Sequence, residues 1–215
     1  MTTTTQAHAE RWIPGRGGLP KAEQARRTRE LIIQTGIRCL ASAGFANTTM
    51  LSIAREANIS RGPLHYHFAD RNALMAAIAE ALPQAVTDDV VKRLTAASTL
   101  EERLHAIIDI ALDEHLGAHH FAALELLLAA RNDPELSAAI RPHFLASEGT
   151  IDEWWTQYLS LLGWPRDRLI AFRHVAVACL RGLAIDHLLQ GDAEAHSDAI
   201  KLFRDMFLTF ARQQS

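Results

Sequence analysis

The sequence predicts an all-α protein of about nine helices, a small N-terminal helix-turn-helix unit of three helices followed by a larger helical body. Three observations point there. After Lys21 apolar residues recur at helical spacing almost throughout, and no stretch alternates apolar and polar residues with β-branched enrichment as a half-buried strand would. Turn and cap residues punctuate the helical stretches at Gly44, Asn58, Asp70, Asn132-Asp133-Pro134, Gly163-Trp164-Pro165 and Gly191-Asp192. Charge is divided unevenly. Residues 1–75 hold ten Lys/Arg against five acids, a surplus of +5, and the remainder holds twelve against twenty, −8. Phosphate attraction is local, screened over about 8 Å in physiological salt, so a basic head matters even though the whole chain carries −3.

The elements follow in order. Residues 1–20, with four threonines and then Pro14, Gly15, Gly17, Gly18 and Pro20, have little to bury and are expected to be a disordered tail. A first helix is expected from Ala22 to Ala43, with Leu31, Ile32, Thr35, Ile37, Leu40 and Ala41 on one side. Gly44 supplies a left-handed stop and Phe45 its following apolar contact. Thr49 is an N-cap for a short helix, Met50 to Ala57, that buries Ile53 and Ala54. Ser60 caps a third helix, Arg61 to Phe68, and Asp70 a fourth through Leu74, Ile78 and Leu82. Beyond Pro83 the predicted helices are Leu100 to Leu116, Phe121 to Ala130, Glu135 to Leu162 with a kink expected at Pro142, Arg166 to Leu189, and Ala193 to Gln213.

Residues 49–68 have the pieces of a helix-turn-helix. Ala54 is small where the second helix crosses the first. Asn58 tolerates positive φ in the turn, and Ile59 plugs the space behind it. Ser60 and Arg61 stand at the N-terminal end that such motifs present to DNA. With Gly44-Phe45, Thr48-Thr49, Ile53-Ala54, Ala57, Ile59-Ser60, Leu64, His67-Phe68, Arg71 and Leu74 at ungapped spacing, the segment Arg29 to Leu74 resembles the DNA-binding region of the TetR family. The later residues match that family only in length and helical character.

The resemblance implies site residues. Thr49 caps the second helix and touches a phosphate; Ser60, Arg61 and Gly62 open the recognition helix, with Arg61 suited to O6 and N7 of guanine. His65 stands where the family prefers a phosphate-binding tyrosine. Tyr66 reaches a thymine methyl or a phosphate, and His67 has a phosphate or positioning role. Arg71 replaces a usual lysine at a helix N-terminus, where charge and helix dipole favour a phosphate. Asn58 in place of glycine, Pro63 in place of Thr/Ser and His65 in place of Tyr are departures that leave the motif intact. Arg11, Arg16, Lys21, Arg26 and Arg27 could form an arm for the minor groove, but a solvated tail is the preferred reading.

For the body, the resemblance implies a domain that binds a ligand and dimerises. The expected division is a tail over 1–20, a DNA-binding unit over 21–70 and a sensing and dimerising unit over 71–215. Arg166–Leu189 and Ala193–Gln213 are expected to form a four-helix bundle with a second copy. In the first of these helices Ala176, Ala178, Gly182 and Ala184 allow close approach, and Val177, Leu180, Ile185 and Leu188 fill the seam. Ile200, Phe203, Met206, Phe207 and Phe210 add to it from the second. Leu104, Ile108, Leu112, His115, Leu124, Leu128, Trp155, Tyr158 and His174 are candidate walls of a cavity for a small lipophilic or aromatic effector, although each is more simply read as core. Binding there is expected to shift the fourth helix near Pro83.

The resulting expectation is a repressor that grips a palindromic operator in double-stranded DNA as a homodimer and is released by the effector. His115 and His119, four apart, with His120 adjacent, have the spacing of a two-histidine metal site, but solvated histidines at a helix end are the preferred reading, and neither metal nor cofactor is expected. There is no phosphate loop, dinucleotide fingerprint or nucleophile elbow, so an enzyme is disfavoured. The basic head disfavours a helical adaptor with no DNA role. Cys39 and Cys179 form no disulfide framework, no signal peptide is visible and no apolar run is long enough to span a bilayer; a cytoplasmic protein is expected.

Overall fold

A computed structural model describes residues 20–85, 88–190 and 194–213, and among them every regular element is helical. Residues 1–19 of the expected tail, with the basic residues Arg11 and Arg16, fall outside the described residues, as do Gly191, Asp192 and Ala193. Ten α-helices run in order: α1 Lys21–Asn47, α2 Met50–Glu56, α3 Arg61–His67, α4 Arg71–Ala81, α5 Asp88–Ala96, α6 Leu100–His115, α7 Ala118–Ala130, α8 Pro134–Tyr158, α9 Arg166–Gln190 and α10 Glu194–Gln213. Short 3₁₀ turns follow α4 at Leu82–Ala85 and α8 at Ser160–Leu162. The extra helix relative to the sequence reading is α5, whose polar residues Asp88, Asp89, Lys92, Arg93 and Thr95 read as a connection.

Local chemistry sets the boundaries. Gly44 breaks α1 with φ 76° and ψ 168°, a conformation available essentially to glycine, and the chain then resumes one more turn to Asn47. Thr49 begins α2 with a capping box. Its Oγ1 accepts from the Ser52 N–H at 3.0 Å, and the Ser52 Oγ accepts from the Thr49 N–H at 2.8 Å. Asn58 turns the chain at φ 54°, as its side chain permits. Ser60 occupies the N-cap position of α3 with no side-chain cap bond, so its expected capping role is not realised. Asp70 caps α4 by accepting from the Ala73 N–H at 2.8 Å. Asp133 does the same for α8 at the Leu136 N–H, with Pro134 in the first turn where its missing N–H costs nothing. α8 continues through Pro142 as one helix.

Two apolar cores result. The first joins Ile32, Ile37 and Leu40 of α1, Ile53 of α2, Leu64 of α3 and Leu74, Met75 and Ile78 of α4 to Ala122 and Leu126 of α7 and Leu136 and Ile140 of α8. Its apolar continuity runs straight across residue 70, because α4 packs on both sides. The second core lies among α5, α6, α8, α9 and α10 around Leu104, Ile108, Trp155, Trp164, Leu180 and Phe207. An aromatic cluster fills it: Phe172 stacks on Phe207 at 4.5 Å between ring centres, and Trp164 meets Phe172 edge-on at 5.3 Å.

Candidate DNA-binding surface and ligand cleft

The face formed by the N-terminal ends of α2 and α3 is open. Thr49, Ser60, Arg61, Gly62, His65 and Tyr66 are exposed, Tyr66 at 80%. Leu64 and Phe68 turn the other way into the first core, so α3 has one anchored side and one free side. A Cβ on Gly62 would meet nothing within 4 Å, so that spot offers an unobstructed approach. His67 is half-buried against Tyr66 at 5.0 Å; burial first, and then the charge of Arg29, lower its pKa.

Arg71 sits differently from the position implied by the resemblance. Its Nε donates to the Thr48 carbonyl at 3.1 Å and its Nη2 to the Phe45 carbonyl at 2.6 Å. The guanidinium lies 3.9 Å from the Phe45 ring centre, and its half-burial lowers the pKa from the usual arginine value. Its fork braces the α1–α2 connection through two of the N–H donors of the guanidinium. On the other side of the same connection, the Glu125 carboxylate of α7 accepts from the Phe45 N–H at 2.7 Å. The break at Gly44 is therefore held from two sides by residues 26 and 80 positions away. The sequence reading missed Glu125, since nothing local marks it.

Of the basic residues considered for an arm, Lys21, Arg26 and Arg27 belong to α1, and Arg26 and Arg27 both hydrogen-bond Glu23. The two arginines hold the Glu23 carboxyl down at about 2, Arg26 contributing most.

The nine residues expected to wall a cavity are dispersed. Leu104, Ile108, Leu112 and Trp155 are packed core side chains, and Tyr158 lies on Trp154 at 4.3 Å. Leu128 and His174 are exposed. A cleft of about 390 Å³ lies between α7 and α8 with Arg181 of α9 in its lining, and of the nine only Leu124 lines it. Core-forming and cavity-forming residues have the same composition, so periodicity could not separate them.

His115 stands just behind this cleft, 4.6 Å from the His120 ring, and its Nδ1 lies 2.7 Å from the Ala111 carbonyl. The expected one-faced pair His115/His119 does not form, because α6 ends at His115 and α7 starts at Ala118. Among the described residues no group of three or more His, Cys, Asp or Glu side chains is placed to hold a metal ion. Burial, then the charges of His115 and Arg181, push the His120 imidazole down to about 4.

The seam residues of α9 divide between two faces. Ala176, Leu180 and Ala184 fill the chain's own core and Val177 is half-buried, whereas Ile185 and Leu188 face outward, as does the neighbouring Val175. On α10 Phe207 is buried, and Leu202, Met206 and Phe210 are exposed. Gly182, on the open side of α9, has nothing within 4 Å of where a Cβ would stand.

Comparison with known proteins fits this geometry. The model of bacterial regulatory proteins of the TetR family matches residues 32–78, and that of the tetracyclin repressor-like C-terminal domain matches residues 95–209, more than half of the chain. The chain belongs to the TetR family. As a TetR-family member it is a DNA-binding transcriptional regulator. It is 24% identical over 196 residues to the HTH-type transcriptional regulator CymR of Pseudomonas putida, which covers 89% of this chain and 97% of that one. Among solved structures, the fatty acid degradation regulator FadR of Bacillus halodurans superposes with a TM-score of 0.65 at 16% identity, covering 84% of this chain and 94% of the other. A transcriptional regulator from Saccharomonospora viridis in complex with choline does so with a TM-score of 0.62 at 19% identity, covering 87% and 96%. At such identities the structural likeness concerns the fold. Among the described residues no helix is long and apolar enough to cross a membrane.

Proposed function

We propose that this TetR-family regulator is a cytoplasmic repressor that binds a palindromic operator as a homodimer and is released by a small lipophilic effector. The observation that carries the reading is the free face of α3, with Arg61 and Tyr66 exposed while Leu64 and Phe68 lock the helix from behind. Arg61 reads a base edge. Thr49, Ser60, Gly62, His65 and Tyr66 lie along the backbone, and Arg71 acts chiefly as a brace. Residues 21–70 are the reading unit and 71–215 the sensing and dimerising unit, with α4 as the element common to both.

Dimerisation is supported by the exposed apolar residues of α9 and α10. Leu188 is 66% and Met206 62% exposed, apolar side chains that a second copy would remove from water. A second copy covering them would set two α3 helices about 34–36 Å apart, the spacing of successive major grooves. A ligand-binding body is supported by the cleft between α7 and α8 and by a neighbour of this fold solved with choline. The chain works without a cofactor and performs no catalysis.

The test is a gel shift with a fragment of the protein's own promoter. Retention in excess competitor DNA is expected. Arg61→Ala is expected to relax base preference at one position per half-site by about 1–3 kcal/mol. An unchanged preference in a selection from random DNA refutes the role of Arg61.

A further inference from the structure

We propose that Arg29 of α1 is a further operator contact, its guanidinium gripping a backbone phosphate beside the C-terminal end of α3. This rests on the reading of α3 as the helix that enters the major groove, and adds to it a residue from a different helix.

The place comes first. Phe68 is the C-cap of α3 and is buried in the first core, and the Arg29 guanidinium carbon lies 5.6 Å from the centre of its ring. Arg29 is nevertheless exposed, as are His65 and Tyr66 in the last turn of the same helix. Its charge also reaches the neighbouring His67, where, after burial, it is the second cause of the lowered pKa. A guanidinium resting on a ring engages its face, so the N–H donors around its edge remain available. The ring also steadies the side chain, which lessens the entropy lost when it binds.

Charge comes next. The two acids of α1 are turned to other partners. Glu30 accepts from the Gln34 side chain at 3.0 Å, and Glu23 accepts from Arg26 and Arg27. Among the described residues no carboxylate forms an ion pair with Arg29. Arg29 thus differs from Arg26 and Arg27, which are engaged by Glu23, and from Arg71, which is engaged by two carbonyls. Its position matters as much as its charge. α3 has 7 residues and is about 10 Å long at about 1.5 Å per residue. Laid in a major groove about 12 Å wide, it brings both ends near phosphate strands. Arg61 serves the N-terminal end. At the C-terminal end the helix dipole repels a phosphate, so a cation is needed to hold one there, and Arg29 supplies it.

The experiment is fluorescence anisotropy of the full chain with two labelled duplexes, one enriched from random DNA by the protein and one of unrelated sequence, at salt from about 50 to about 200 mM. Arg29→Gln is expected to weaken binding to both duplexes by the same factor and to take about 0.9 off the slope of log K against log salt, the value for one phosphate neutralised on B-DNA. Its deficit should therefore shrink about threefold across that salt range. Arg29→Lys, which keeps the charge, is expected to keep the slope. Thermal melting shows whether the glutamine variant is folded; if it is not, Arg29→Met, which keeps an unbranched stem over Phe68, carries the same comparison. A folded variant with the slope of the unsubstituted chain, or one that loses affinity for the enriched duplex alone, overturns the proposal: Arg29 then only covers Phe68 or touches a base. Arg61→Ala separates the two readings. If it changes base preference while Arg29→Gln leaves the slope alone, only the phosphate contact falls. If Arg61→Ala changes nothing while Arg29→Gln lowers the slope, the reading of α3 falls and the phosphate contact stands. An unsubstituted chain that enriches no sequence and binds no duplex ends both.

Discussion

The two apolar cores differ in whether they are closed. The first, around Ile32, Ile53, Leu74 and Ile78, is mainly aliphatic and covered by α1–α4, α7 and α8, meeting the α7–α8 cleft at Ile140. The second centres on the ring cluster of Trp155, Trp164, Phe172 and Phe207, which reaches the half-exposed Phe210, and the same two helices carry Met206, Ile185 and Leu188 exposed. A sealed core stabilises whatever the protein concentration. An open one is completed only when another surface covers it, so its contribution follows mass action. The end that reads DNA is thus self-sufficient, and on the proposed reading the far end is half of an assembly.

The largest effect that sharpens this comparison is expected in the sealed core. Ile78→Ala should lower unfolding free energy by about 2–5 kcal/mol in urea, by the same amount at every protein concentration. A loss that shrinks as concentration rises would show that the sealed core also depends on association. Next comes the open core. The unsubstituted chain should melt higher as concentration increases. Leu188→Glu should abolish that dependence and sediment as a monomer, association weakening by about 2 kcal/mol or more. A stable dimer of the variant would remove α9 from the interface.

A third test concerns the joint between the regions. Arg71→Lys keeps the positive charge but loses the fork on the Thr48 and Phe45 carbonyls. Stability should fall by about 1.5–3 kcal/mol while the salt dependence of operator binding keeps its slope. The opposite result, unchanged stability with weakened binding, would make Arg71 a phosphate ligand after all. The smallest expected effect is Thr49→Ala, about 1 kcal/mol, from loss of the capping box on α2. Guanidinium unfolding measures it, and no change would mean the Ser52 bond to the Thr49 N–H suffices.

The sequence made the reading end legible because its determinants are local. Gly44 and Asn58 both adopt the positive φ expected of them, and Thr49 and Asp70 cap the helices they precede. The helical body was legible too, save α5, whose few apolar residues lie among charges. What sequence could not reveal are relations between distant positions. Glu125 meets Phe45 across 80 residues, buried Arg173 is met by Glu148 and Asp152, and the cleft lies between α7 and α8. Leucines that line a void and leucines that fill one carry the same signal, so Leu104, Ile108 and Leu112 could be recognised as apolar but not as solidly packed.

Leu124 touches the cleft, and the next residue along α7, Glu125, grips the main chain of the reading unit. Successive side chains on a helix point roughly 100° apart. The pair therefore works as a crank with two arms on one shaft. On the proposed reading, a ligand pressed against Leu124 would be felt at Glu125, which holds the one spot in α1 where the helix is already broken.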